Sequence, residues 1–248
     1  MDRAQLLALD TAYCGFNAGR TLGTPAPSAF EVRAFGAALL TVDAQRKGPY
    51  YNGVVGLGPS SLSDLDDMLE VHTGAGVSSR VDVALEDATA VVVDALKQRD
   101  FAPAYLLTYL GIAPQTVRTK SGAVDHVTER WEQANADRFL DLLATSGGAI
   151  PPDVRSARRE HYCTDRFRVH VALVAGKPVA WATLFVEGRH GLLANAKTLP
   201  GFERRGLHAA LLAARLADAR ELDLAYVVTD VEPGTTSHRN CRRAGLHA

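Results

Sequence analysis

With 248 residues, of which 27 are basic and 28 acidic, the chain has a net charge of −1. That balance gives no electrostatic field that would collect nucleic acid or an anionic membrane, so neither is expected as a partner. Apolar residues make up 47% and charged residues 22%, which is ordinary for a globular protein with one large domain or two small ones.

The cysteines, Cys14, Cys163 and Cys241, are far apart and include no Cys-x-x-Cys pair. Neither a disulfide framework nor a metal site is therefore expected. The N-terminal residues never form an uninterrupted apolar stretch, so we predict no signal peptide and no membrane span. The expected location is the cytoplasm.

The first half of the sequence predicts strands that alternate with helices. A helix is predicted over residues 2–17, followed by a Gly- and Pro-rich loop over 19–28. Further helices are expected after the capping pattern at 61–64 and over 86–99. Strands are predicted at four apolar stretches, the first of which would also suit a short helix: 32–42, 50–57, 81–85 and 105–110.

The second half predicts a mostly antiparallel sheet flanked by helices. We expect a strand over 124–130, a helix over 132–144 and another that starts at Pro151 and Pro152. Three apolar runs separated by short Gly-containing turns then predict an antiparallel meander over 167–198. A long helix, a strand over 224–229 and a terminal helix complete this half. The predicted organisation is a first domain over 1–113, a linker over 114–123 and a second domain over 124–248, all of α/β (α+β) class.

The most informative segment is a strand, a loop and a helix within residues 192–216. Gly206 precedes a helix whose apolar residues recur at helical spacing, and Arg204 and Arg205 come directly before it. The N–H groups and the dipole at such a helix start suit a phosphate or pyrophosphate. Gly206 would let the backbone approach the ligand closely. An ordinary loop with two solvated arginines would fit the same spacing.

This segment resembles the coenzyme A loop of the GCN5-related N-acetyltransferases, whose motif reads Arg/Gln-x-x-Gly-x-Gly/Ala. Gly206 matches the central glycine of that motif, and Arg205 matches the basic residue before it. Glu203 and His208 depart from the motif. Glu203 would weaken binding of a polyanion unless it turns away, and His208 would either donate to a phosphate or fill space.

The resemblance continues to the end of the chain. Residues 224–229 are similar to the fifth strand of the family, and 232–246 are similar to the next helix in its Pro-Gly-x-x-Ser-x-Arg-Asn form. Thr236 or Ser237 would cap that helix. The family's fourth and fifth strands splay apart and accept the pantetheine arm between them.

The resemblance implies acetyl-CoA as co-substrate and direct transfer of its acetyl group to an amine of a small-molecule acceptor. Asn240 would lie near the pantetheine arm. The residues that the resemblance assigns to coenzyme binding are Ala196, Lys197, Thr198, Leu199, Arg204, Arg205, Gly206, Leu207, His208, Ala209 and Asn240.

The catalytic groups are less clear in the sequence. Many family members use a Tyr four residues before the final Gly as proton donor, and that position here is Cys241. Ser237 is a second candidate for the acid. Asp230 and Glu232 rank first as candidate bases, ahead of Glu187, since one carboxylate and a water chain can deprotonate an ammonium.

The first half resembles a degenerate copy of the same fold without the coenzyme loop, which gives tandem domains of the N-acetyltransferase type. The family's two last strands have no counterpart after Gly245, so either the C-terminus is truncated or an element from the first half or from a second copy in a homodimer completes the sheet. Two alternatives to an N-acetyltransferase stay open. One is an inactive coenzyme A-binding regulatory or scaffolding module, and the other is an enzyme of this fold with a different acyl-thioester reaction.

Overall fold

Two sheets organise the residues that the structure describes, 1–117 and 126–248 of a computed structural model. The first sheet belongs to a unit that spans Met1–Ala104 and the second to a unit that spans Tyr105–Ala248. Each sheet contains both antiparallel and parallel strand pairs, and helices pack on it, as the predicted fold class requires. Among these residues, no helix is both long and apolar enough to cross a bilayer.

The first unit has a four-stranded sheet in the order β1-β2-β3-β4. Strands β1 to β3 are antiparallel, and β4 runs parallel to β3 because helix α2 carries the chain back across the sheet. The elements are α1 (Arg3–Arg20), β1 (Glu31–Phe35), β2 (Ala38–Val42), β3 (Gly53–Leu57), α2 (Leu65–Ala75), β4 (Arg80–Val83) and α3 (Ala90–Lys97).

Two predictions for this unit need correction. Residues 32–42 form a hairpin instead of one strand or helix, because the chain turns at Gly36, whose φ is +58°. The helix predicted over 86–99 begins only at Ala90, after a short 3-10 turn at Leu85–Asp87. The capping pattern at 61–64 lies in another 3-10 turn, Pro59–Asp64, that leads into α2.

The second unit has a six-stranded sheet in the order β5-β10-β9-β8-β7-β6. All neighbouring strands are antiparallel except β9 and β10, which helix α6 connects in parallel. The elements are β5 (Thr108–Ile112), β6 (Val127–Trp131), α4 (Ala136–Gly147), α5 (Pro152–Arg158), β7 (Phe167–Val174), β8 (Lys177–Glu187), β9 (His190–Thr198), α6 (Leu207–Glu221), β10 (Tyr226–Val231) and α7 (Thr236–Arg243).

Strand β5 pairs in the second sheet, although the sequence assigned it to the first half. It lies antiparallel to β10, and Gly111 on its other edge exchanges backbone hydrogen bonds with His247. A residue with a side chain would not fit at position 111, because its Cβ would overlap the ring of Tyr226. A strand from the predicted first half thus pairs with β10 in the second sheet, in line with one of the predicted alternatives. Of the predicted linker 114–123, residues 118–123 lie outside the described part.

Helix α6 packs on β7, β8 and β9 through a face that is not wholly apolar. Ala210 and Ala214 are half-buried, whereas Arg215 and Asp218 are buried among the leucines. Asp218 accepts two hydrogen bonds from Arg168 at 2.7 Å and contacts His170 Nε2 at 2.9 Å. The buried charges of α6 therefore have specific partners in the sheet.

Candidate functional site

Strands β9 and β10 form a fork at their carboxyl ends. Pairing runs from Tyr226 opposite His190 to Val228 opposite Leu192 and goes no further among the described residues. Both strands nevertheless continue, β9 to Thr198 and β10 to Val231. Backbone groups in the open end of β9 are therefore available to a ligand that enters the gap.

A β-bulge in β9 lies within the fork, three residues past the last pair with β10. Ala182 and Thr183 of β8 pair with Ala196 and Ala194, so that Asn195 is an extra residue in β9. Asn195 has φ of +31°, outside the range of regular strands. A bulge bends its strand and increases the local twist, so the end of β9 departs from the line of its paired part.

Side chains bind the backbone carbonyl groups at the base of the fork. The Thr229 hydroxyl donates to the Leu193 carbonyl at 2.9 Å, one residue past the last strand pair. The Thr183 hydroxyl donates to the Ala194 carbonyl at 3.0 Å. Arg215 Nη1 donates to the Thr183 and Ala194 carbonyl oxygens at 3.1 and 3.3 Å. Side-chain hydrogen bonds thus satisfy the carbonyl groups at the base of the fork and stabilise the backbone there.

The loop between β9 and α6 presents an open helix start. Gly206 is the N-cap residue with φ of +77°, and a Cβ placed on it would meet nothing within 4 Å. The first backbone bond of the helix is from Ala210 N–H to the Gly206 carbonyl, so the amides of Leu207, His208 and Ala209 have no acceptor within the helix. The first turn of α6 carries no acidic residue. Anions are therefore favoured at this end.

Glu203 turns back into its own loop. Its carboxylate accepts a hydrogen bond from the Gly201 N–H at 2.8 Å. The two arginines of the loop are exposed, and the Arg205 guanidinium lies 5.6 Å from the Phe202 ring centroid. The departure from the motif at Glu203 thus has a local partner, and the loop keeps two cations beside the helix start.

His208 and Asn240 link α6 to α7. His208 Nδ1 lies 3.1 Å from the Asn240 side-chain nitrogen. Burial lowers the pKa of His208, and the charge of Arg215 lowers it further. A neutral His208 accepts the Asn240 N–H at Nδ1 and keeps its proton on Nε2. His208 and Asn240, two of the residues that the sequence assigned to the coenzyme site, therefore meet.

The candidate acids differ in accessibility. Cys241 belongs to the core cluster of the second unit, and burial raises the pKa of its thiol, with Arg215 and a hydrogen bond to Ser237 acting in the opposite direction. Ser237 is half-buried in the first turn of α7. The cap of α7 is Thr235, which accepts from His238 N–H at 3.2 Å, and not Thr236 or Ser237 as predicted.

The candidate bases lie at different ends of the sheet. Asp230 is exposed on β10 beyond the last pair with β9, and its strand partner in β5 is Tyr109. Glu232 is exposed just after β10. Glu187 lies opposite His190 at the far end of β9 and pairs with Arg166, so it is not near the fork as the sequence suggested.

The first unit repeats the order of a three-stranded meander, a helix and a parallel strand, but its equivalent loop is closed. Strand β3 pairs with β4 as far as Leu57 opposite Val83, so these strands do not fork. The Gly58 N–H donates to Ser61 Oγ at 3.3 Å, and the Asp87 carboxyl lies 3.2 Å from where a Cβ of Gly58 would be. A carboxylate at this position disfavours an anionic ligand.

Sequence reasoning missed the residues that support the fork, Thr183, Arg215 and Thr229. Only Arg215 left a local signal, because it follows Leu211 by four residues and so occupies the apolar face of α6. Threonines are frequent in strands, and nothing in the sequence marks these two.

No family model and no curated protein sequence matches the chain. Solved structures do match. A GCN5-related N-acetyltransferase from Kribbella flavida superposes with a TM-score of 0.67 at 15% identity, over 100% of this chain and 92% of the other. A GCN5-related N-acetyltransferase from Sphaerobacter thermophilus superposes with a TM-score of 0.63 at 14% identity, over 85% of this chain and 77% of the other. A functionally unknown conserved protein from Staphylococcus epidermidis superposes with a TM-score of 0.62 at 12% identity, over 88% of this chain and 90% of the other. At these identities the matches establish the fold of the chain.

Proposed function

We propose that this chain, which has the fold of the GCN5-related N-acetyltransferases, transfers the acetyl group of acetyl-CoA to an amine of a small molecule. The observation that carries the proposal is the fork of β9 and β10 beside the open start of α6. A cleft between two strands next to an anion-binding helix start suits a ligand that combines a pyrophosphate with a long amide-containing arm.

The residues at the fork fit such a ligand. The amides of Leu207, His208 and Ala209 would bind the pyrophosphate, and Arg204 and Arg205 would add charge from exposed positions. The backbone of residues 196–199, which follows the bulge beyond the last β9–β10 pair, would pair with the amides of the arm. Asn240, held by His208, would approach the arm from α7.

The thioester of the bound co-substrate supplies an activated acyl group. An amine whose ammonium proton has been removed attacks the carbonyl carbon, the C–S bond breaks, and the thiolate takes up a proton. Asp230, exposed on β10 beyond the last β9–β10 pair, is the best-placed base of the three carboxylates. Ser237 is the better candidate acid because it is half-buried at the start of α7, whereas Cys241 lies in the core.

A second candidate function is favoured by the burial of Cys241. Where many members of the family have a tyrosine, this chain has a buried thiol whose pKa is raised by burial. A module that binds coenzyme A without catalysis would have no need of an acid there. A different acyl-thioester reaction, such as hydrolysis, is consistent with the same observation.

The proposal is tested by calorimetric titration of the full chain with acetyl-CoA. We compare the wild type with Gly206→Glu and with Gly188→Glu as a matched control. Both glycines have positive φ and no atom within 4 Å of a placed Cβ, but Gly188 lies in the turn between β8 and β9, away from the fork. Binding should be lost in Gly206→Glu and kept in Gly188→Glu.

Turnover then distinguishes the candidates. Release of free coenzyme A that requires an amine supports acetyl transfer, release without an amine supports hydrolysis, and saturable binding without release supports the inactive module. A well-folded wild type that does not bind acetyl-CoA would contradict all three.

A further inference from the structure

We propose that Arg215 is a positioning residue that holds the bulge of β9 and so keeps the fork open. This inference rests on the proposed function, because it assigns the fork a ligand. The residue lies on α6, inside the unit, and does not itself reach the exposed end of β9. It would act through the backbone that it binds.

The environment of Arg215 is unusual for a cation. The side chain is 3% exposed, and its hydrogen bonds go to the carbonyl oxygens of Leu211, Thr183 and Ala194. Within residues 1–117 and 126–248, no carboxylate lies within 4.0 Å of it. Burial of a charge is costly unless it is compensated by good hydrogen bonds. The carbonyl groups at the bulge are therefore the compensation, and the guanidinium and the bulge stabilise each other.

The two sheet carbonyls belong to different strands on either side of the irregular step. Thr183 lies on β8 and Ala194 on β9, and they are the first pair before the extra residue Asn195. A donor that bridges both fixes where the bulge occurs. If the bulge were absorbed, residues 196–199 would shift by one position and each side chain and amide would change sides. Arg215 thus determines which backbone groups of β9 face the gap.

Arg168 provides the contrast. It is also buried and also contacts α6, but its partners are carboxylates, Asp218 with two bonds of 2.7 Å and Asp165 with one of 3.1 Å. That pair joins α6 to β7, outside the fork. Helix α6 is therefore attached to β7 by the Arg168–Asp218 ion pair, and its Arg215 binds the backbone next to the bulge in β9.

The experiment compares two ligands in the full chain. Acetyl-CoA has the pantetheine arm, and adenosine 3′-phosphate 5′-diphosphate has the pyrophosphate but lacks the arm. We expect Arg215→Met to weaken acetyl-CoA binding about tenfold and to leave the affinity for the nucleotide unchanged. Arg215→Lys keeps the charge but lacks the planar guanidinium, and it should give an intermediate loss of acetyl-CoA affinity. It replaces Arg215→Met if that variant does not fold.

Arg168→Gln is the control for a merely structural effect. It should lower the melting temperature while changing the affinities for both ligands equally or not at all. Equal losses for both ligands in Arg215→Met, or a selective loss of acetyl-CoA binding in Arg168→Gln, would overturn the assignment.

A measurement without ligand separates this inference from the proposed function. Amide hydrogen exchange in the free protein should become faster at residues 194–199 in Arg215→Met and Arg215→Lys, but not in Arg168→Gln. Unchanged exchange at these residues in a folded Arg215 variant would refute the positioning role. Wild-type protein that binds neither ligand would refute the proposed function, and the exchange result would still decide on Arg215.

Discussion

At the scale of single residues, burial suppresses charge on two histidines. His208, in the first turn of α6, and His72 on α2 both have a pKa lowered chiefly by burial. His72 is fully buried, with Nε2 at 2.9 Å from the Thr41 carbonyl and Nδ1 at 2.9 Å from Ser79 Oγ. Since a carbonyl only accepts, Nε2 carries the proton and Nδ1 accepts from the serine.

The His72 pKa predicts a loss of stability in mild acid. The pKa of His72 in the folded chain lies below the unfolded value of about 6.5. As the pH falls below that value, the unfolded chain therefore binds more protons at His72 than the folded chain does. Stability from this residue is complete above about pH 6.5 and falls as the pH drops, by at most about 1.4 kcal/mol per pH unit. In His72→Gln, the free energy of unfolding from urea titrations should fall less steeply between pH 7 and pH 5. Equal slopes in both proteins would contradict the prediction, and above pH 7 the two curves should run parallel.

The Asp218 carboxylate predicts a large effect from a small change. Asp218→Asn removes the anion that compensates buried Arg168, and breaking a buried pair in this way costs roughly 3–5 kcal/mol of unfolding free energy. The control is Asp137→Asn, whose carboxylate pairs with Arg155 and Arg159 at the surface and whose loss should change stability little. Similar urea midpoints for the two variants would show that the buried pair is not compensated as described.

At the scale of secondary-structure elements, the attachment of β5 depends on a contact between a glycine and a ring. A Cβ on Gly111 would lie 2.3 Å from the Tyr226 ring. Gly111→Ala should therefore reduce the free energy of unfolding by roughly 1–3 kcal/mol, measured by urea titration. Gly74→Ala, in α2 with nothing within 4 Å, should be neutral or stabilising by up to about 1 kcal/mol.

A second substitution tests the reason for this loss. In a Tyr226→Ala background, Gly111→Ala should cost much less, because the ring that the new methyl group meets is gone. Equal costs in both backgrounds would place the effect elsewhere, for example in the bonds between Gly111 and His247.

The sequence predicted whether a segment is a helix or a strand better than it predicted how the segments turn and pair. The meander β7-β8-β9 and the start of α6 at Leu207 follow from local alternation, turn glycines and helical spacing, and the structure confirms them. The hairpin at Gly36 was missed because the apolar run of 32–42 continues through the turn. The bulge at Asn195 was missed because an extra residue in a strand has no sequence signal of its own.

At the scale of the whole molecule, the place of β5 predicts which fragments fold. Leu110 and Ile112 of β5 belong to the same core cluster as Leu212 and Val227. A fragment of residues 105–248 should therefore unfold cooperatively in urea. A fragment of 126–248 lacks β5, exposes the edge of β10 and should aggregate or unfold without cooperativity. Equal midpoints for the two fragments would contradict this account.

Local chemistry in the sequence was enough to identify most strands, the start of α6 at Leu207 and the general fold class, because these depend on neighbours within a few residues. The tertiary structure alone decided that β5 joins the second sheet, that β9 separates from β10 ahead of a bulge, and that Arg215 binds the carbonyl groups next to that bulge. Each of these depends on pairing between residues far apart in the chain. Strand register and buried polar contacts of this kind are set by the packing of the whole unit, which periodicity in a single segment does not encode.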